Sequence, residues 1–144
     1  MSFLLDTNVV SEMVKPRPDP GVVRWLEEAD EDRVFLSVVT MAELRFGISR
    51  LPAGRRRSGL QAWLHEDLLQ RFAGRILRID SEIALTGGDV MAECAAAGHG
   101  IEAMDALIAA TARVHELELV TRNTGDFETA MIPLCNPWAG ERSA

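Results

Sequence analysis

The sequence is short of most residue patterns that announce a chemistry. Only two of its 144 residues are cysteines, Cys94 and Cys135, and they lie too far apart to make a metal-ligand spacing. Reduced thiols in a cytoplasmic protein are the simplest expectation. The three histidines, His65, His99 and His115, show neither the HxxxH nor the HExxH pattern of a zinc site. No serine stands in a nucleophile elbow, and there is no glycine-rich phosphate loop. No apolar run approaches the roughly 18 residues of a membrane span. The first apolar run stops at Asp6 and has no basic region before it, which argues against a signal peptide. Positive charge is also scarce. A net charge of −7 disfavours a general-purpose nucleic-acid binder. It leaves room for an enzyme that meets nucleic acid through bound cations and a local basic patch, since carboxylates reserved for metal add to the negative balance.

What is present suits one ordinary globular domain. The chain is 47% hydrophobic and 26% charged, and it is long enough to bury a real core. The domain is expected over residues 1–138, with 139–144 as a loose tail. Strands alternate with helices, which predicts a doubly wound α/β fold built on a mostly parallel sheet. A short buried strand ends at Asp6, and Thr7 and Asn8 turn it into a helix over residues 8–14. Three prolines between Lys15 and Pro20 stop that helix, and Pro20 opens the next. Residues 33–37 read as a second strand and 40–51 as a helix. Leu60, Leu64, Leu68 and Phe72, at fourfold spacing, mark another helix. A third strand is expected over 75–80, a helix capped by Ser81 up to residue 97, a helix over 102–116 and a strand over 117–121. Residues 132–134, with Pro133, suit only an edge strand.

Four acids stand out by position. Asp6 falls at the end of the first strand, where an open α/β sheet binds ligands, although Asp is also a good helix cap. Glu43 follows the second strand, and Thr40-Met41-Ala42-Glu43 fits a capping box as well. Asp126 follows the strand over 117–121, in a short helix that Asn123 or Thr124 could cap. Asp105 carries the most weight. At 100° per residue, Ile101, Ile108, Ala109 and Ala112 lie within about 60° of it. An acid on an apolar stripe is costly without a partner, and no lysine or arginine occupies the adjoining helical positions. Parallel strands would gather Asp6, Glu43 and Asp126 at one sheet edge, and Asp105 could reach the same edge. Two carboxylates at ~4 Å repel by roughly 4 kcal/mol at an effective dielectric of 20. A cluster of four therefore calls for a cation, and all-oxygen ligands suit Mg²⁺ or Mn²⁺.

Carboxylate-held magnesium typically serves phosphoryl chemistry. Asn8, Thr121 and Asn123 suit groups that orient a ligand or a water, and suit turn and cap positions equally. Arg45, Arg50, Arg55, Arg56 and Arg57 could contact a phosphate backbone, with a solvated loop the competing account of the triple arginine.

Four blocks, in order and spacing, resemble the PIN domain. They are Phe3-Leu4-Leu5-Asp6-Thr7-Asn8, Ser37-Val38-Val39-Thr40-Met41-Ala42-Glu43-Leu44, Met104-Asp105-Ala106-Leu107-Ile108-Ala109-Ala110-Thr111-Ala112 and Val120-Thr121-Arg122-Asn123-Thr124-Gly125-Asp126-Phe127. The resemblance covers nearly the whole chain and is closest to the VapC-type toxins of type II toxin–antitoxin pairs. It implies a three-layer sandwich with a central, mostly parallel sheet flanked by helices. It also implies a Mg²⁺- or Mn²⁺-dependent endoribonuclease with Asp6, Glu43, Asp105 and Asp126 as its acidic quartet. The expected partners are an RNA substrate, a cognate antitoxin and a second copy of the chain, with no membrane. Two other readings compete. A HAD-like phosphatase needs a second acid two residues after the first, where this chain has Asn8. A non-catalytic PIN scaffold binding RNA or protein has no need of a costly carboxylate at Asp105.

Overall fold

The computed structural model describes residues 1–140. Its five strands are β1 (Phe3–Leu5), β2 (Val34–Ser37), β3 (Ile76–Leu77), β4 (Glu118–Val120) and β5 (Leu134–Cys135). All neighbours run parallel, in the order β3-β2-β1-β4-β5. β1 is central, with Leu4 opposite Phe35 on one side and Leu119 on the other. A strand covered on both faces must be apolar on both faces, and Leu4 and Leu5 are both fully buried. Each contributes about 1.5–3 kcal/mol relative to exposure.

Alternation along β1 sends these two leucines into different cores. Leu5 joins Val9 and Val10 of α1 (Thr7–Glu12), Val22 of α2 (Pro20–Glu28) and Leu44 and Ile48 of α3 (Val38–Ser49). Leu64, Leu68 and Phe72 complete that layer. Leu4 packs instead with Val90 and Cys94 of α6 (Ser81–Ala96) and with Ala106, Ile108 and Ala109 of α7 (Ala103–Val114). The result is the expected three-layer sandwich around a parallel sheet.

Several boundaries differ from expectation. The arginine triplet opens a helix, α4 (Arg55–Ala62), rather than lying in a loop. The chain continues through a π-helical stretch, Trp63–Leu68, into the short α5 (Leu69–Arg71). The third strand is two residues long, not six. Arg75 is spent beside it, its guanidinium stacked 4.7 Å from the Phe72 ring centre and donating to the Val34 carbonyl. Helix α6 is capped by Asp80, which accepts from Ile83 N at 2.9 Å, not by Ser81. Helix α3 begins at Val38 with Ser37 as its cap, so the Thr40–Glu43 capping box does not form and Glu43 is free for another use. The last strand is shifted to Leu134–Cys135 and takes the sheet edge, Pro133 contributing only its carbonyl, to Leu119 N.

The expected tail starts at Ala139, whose N–H is bonded to Asp19 Oδ2 at 3.1 Å. Residues 141–144 lie outside the described residues. Among the described residues, no helix is long and apolar enough to cross a membrane.

Candidate active site

Asp6 is placed by the sheet and held by a network. Its N–H completes the ladder to Val120 O at 2.9 Å. Oδ1 accepts from Thr7 N at 2.8 Å, which is the capping role, since Asp6 is the N-cap of α1. Oδ2 accepts from Thr121 Oγ1 at 2.8 Å and Asn8 Nδ2 at 3.3 Å. The Thr121 hydroxyl is saturated, because it also accepts from Asn8 Nδ2 at 3.2 Å and from Asn123 N at 3.0 Å. Asn8 Oδ1 in turn accepts from Arg122 N at 3.2 Å. Asn8, Thr121 and Asn123 are thus all joined to the Asp6 network, Asn123 through its backbone.

Asp6 is 5% exposed. Burial raises its pKa above the usual 3.8 and outweighs the hydrogen bonds from Thr121, Thr7 and Asn8, with Asp126 adding repulsion.

Glu43, on α3, is held by a residue to which the sequence pattern assigned no role. Thr7 Oγ1 donates to Glu43 Oε1 at 2.6 Å and lies 3.2 Å from Thr40 Oγ1. The available signal was a hydroxyl directly beside the strand-end acid, which reads equally as a turn residue.

Asp105 lies half-buried in the first turn of α7. Its carboxyl is pushed from 3.8 up to about 6, first by burial and then by Asp6, Glu43, Asp126 and Glu102. The other three acids are therefore close enough to act on it. Asp126, in the first turn of α8 (Thr124–Phe127), is the most exposed member.

Among the described residues, no three acids, histidines or cysteines close into a ready ligand cage. Nor, among those residues, does any ion pair neutralise the quartet: the pairs found are Lys15–Glu12, Arg33–Asp30, Arg71–Glu31 and Arg113–Glu93. The donor set is all carboxylate oxygen, the chemistry that suits a divalent cation of the magnesium type.

The candidate phosphate contacts are divided. Arg56 lines an apolar groove of about 710 Å³ that Thr7 and Glu43 border on the acid side and Leu44, Ile48 and Trp63 help floor. Arg57 Nη1 donates to Leu51 O, Arg50 stacks on Phe46 at 5.2 Å, and Arg45 Nη1 lies 2.9 Å from His65 Nε2. Arg55 is exposed at the start of α4.

Asp6 follows the central strand of a parallel sheet, Glu43 and Asp126 lie on the helices that follow its two neighbours, and residues 3–130 match the PIN domain. The chain belongs to the PIN domain family. It is 41% identical over 136 residues to VapC ribonuclease Y4jK of Sinorhizobium fredii, covering 94% of this chain and 97% of that protein. The structure of FitAB bound to the IR36 DNA fragment superposes with a TM-score of 0.91 at 38% identity, over 99% of both chains. A toxin–antitoxin complex from Klebsiella pneumoniae gives a TM-score of 0.66 at 28% identity, over 95% of this chain and 98% of that one.

Proposed function

We propose that the protein is the ribonuclease toxin of a toxin–antitoxin pair, cleaving RNA phosphodiester bonds at the Asp6, Glu43, Asp105 and Asp126 site with Mg²⁺ or Mn²⁺. The observation that carries the reading is Asp105, a carboxyl on an otherwise apolar helix face that feels all three other acids and no neutralising cation. The relative named as a ribonuclease and the solved toxin–antitoxin complex support the same class.

In this reading the four carboxylates hold the ion. When bound, it supplies activation of water and offsets charge on the phosphate oxygens. Thr121, Asn8 and the Thr7 N–H fix both oxygens of Asp6, and the Thr7 hydroxyl fixes Glu43. Preset donors of this kind hold the ligand geometry without a reorganisation cost at the moment of reaction. Arg56, with Arg55 and Arg57 beside it on α4, would take the RNA backbone leading into the site. Arg45, on α3, and Arg50, its C-cap, carry further positive charge, Arg45 beside His65 and Arg50 over the Phe46 ring.

The apolar groove beside Glu43 suits an antitoxin segment that covers the acids, with a homodimer as the assembled state of the toxin. The test is cleavage of RNA by purified protein. It should require Mg²⁺ or Mn²⁺, and Asp6→Asn should abolish it while the protein stays folded. Cleavage that persists in EDTA would sink the reading.

A further inference from the structure

The matched family region ends at residue 130, yet the chain beyond it is tied to the acid site. Past β5, Asn136 Oδ1 accepts from Trp138 N at 3.0 Å, turning the chain so that Trp138 enters the core beside Leu5 and Val120 with 5% exposure. The Arg122 guanidinium lies 5.3 Å from the centre of the Trp138 ring, a cation–π distance. The backbone N–H of the same Arg122 donates to Asn8 Oδ1, and Asn8 donates to Asp6.

The far side of the segment is fastened as well. Asp19 Oδ2 accepts from Gly21 N, Val22 N and Ala139 N, joining the α2 cap to the C-terminal chain. These contacts hold the Asp19 carboxyl below its usual range, the Ala139 N–H first among them. The crossing is close: a Cβ at Gly21 would sit 2.3 Å from Pro137 O and 2.5 Å from Ala139 N, both backbone atoms. Only glycine lets the chain pass there.

We propose that residues 136–139 form a strap that positions the loop carrying Thr121, Asn123 and Asp126, with Trp138 and Arg122 as positioning residues for Asp6. The chain of contacts runs from Trp138 to Arg122, from Arg122 N to Asn8, and from Asn8 to the Asp6 carboxylate. A catalytic consequence rests on the RNA-cleavage reading above; the mechanical link does not.

The variants are Trp138→Leu, Trp138→Phe, Gly21→Ala and Arg122→Gln, the last altering an exposed side chain with little risk to folding. Two readouts need no turnover: amide hydrogen exchange in metal-free protein, and Mn²⁺ binding by calorimetry. Trp138→Leu, Gly21→Ala and Arg122→Gln should speed exchange at the Arg122 and Asn123 amides at least ~10-fold relative to Leu4 and Leu5. They should also weaken Mn²⁺ binding by roughly 10-fold, the lower end of the effect of removing groups that orient ligands. Trp138→Phe, which keeps an aromatic face for the guanidinium, should restore both. In RNA cleavage kcat should fall while KM stays constant. Exchange that rises equally throughout the chain, or stays at the wild-type rate at Arg122 and Asn123, overturns the strap. Wild-type protein that binds Mn²⁺ but leaves RNA intact defeats the nuclease reading instead, and the exchange data still decide the mechanical one.

Discussion

Asp105→Asn should make the metal-free protein more stable and the enzyme inactive, and the stability gain should depend on pH in one direction only. Moving the titration from 3.8 to about 6 corresponds to about 3 kcal/mol at ~1.36 kcal/mol per pH unit. The side chain is only partly buried, and screening there reduces the figure to roughly 1–2 kcal/mol. Because the folded-state value is raised, the folded chain binds protons more tightly than the unfolded chain between these two pH values. Its stability therefore falls as pH rises from 3.8 to about 6, and the full penalty remains at pH 7. Asparagine keeps the shape and removes the charge. The variant should gain ~3–6 °C in Tm at pH 7 without divalent ion, and the gain should vanish near pH 4. Thermal melts of both proteins in EDTA across pH 4–8 make the comparison, and the difference between them reports Asp105 together with its coupling to the other three acids. A gain of equal size at pH 4 and pH 7, or none at either, refutes the reasoning. Adding Mg²⁺ supplies the converse arm: it should raise the wild-type Tm and leave the variant unmoved.

Other outcomes follow from the same geometry. Thr121→Val removes the hydroxyl that donates to Asp6 and accepts from Asn8 and Asn123. It should cost about 1–3 kcal/mol in denaturant unfolding and weaken Mn²⁺ binding by about 10–100-fold. Arg56→Ala should raise KM for RNA and reduce the slope of log affinity against log salt by about 1, with kcat unchanged. A loss of kcat at constant KM would place Arg56 at the chemistry rather than along the RNA.

Much of this arrangement was legible along the chain, and the reasons differ by element. Asp105 could be singled out because a 3.6-residue period places it on the stripe of Ile108, Ala109 and Ala112, and all three of those residues are buried. Asp6 could be placed because three apolar residues running into an acid make a strand end, and its capping role and its membership of the acid network coexist. Glu43 was harder. A capping box explained it fully, and only the structure shows Ser37 taking the cap and leaving the glutamate to Thr7. That contact joins side chains 36 residues apart, and no local period reports it. The π-helical stretch after α4 escaped for a related reason: a fourfold apolar spacing tolerates one widened turn. The edge order of the sheet and the crossing of residues 136–139 over Gly21 depend on pairing between distant segments, which sequence patterning addresses only in kind.

Sheet order bears on when this chemistry can exist. Thr121, which grips the second oxygen of Asp6, is synthesised 115 positions after it. β1 acquires its β4 neighbour only after β2, β3 and the helices between them have been made. Until then a nascent chain carries Asp6 with its neighbours Thr7 and Asn8 but without Thr121. The long sequence separation acts as a delay: the full grip on Asp6 closes only once the sheet has assembled.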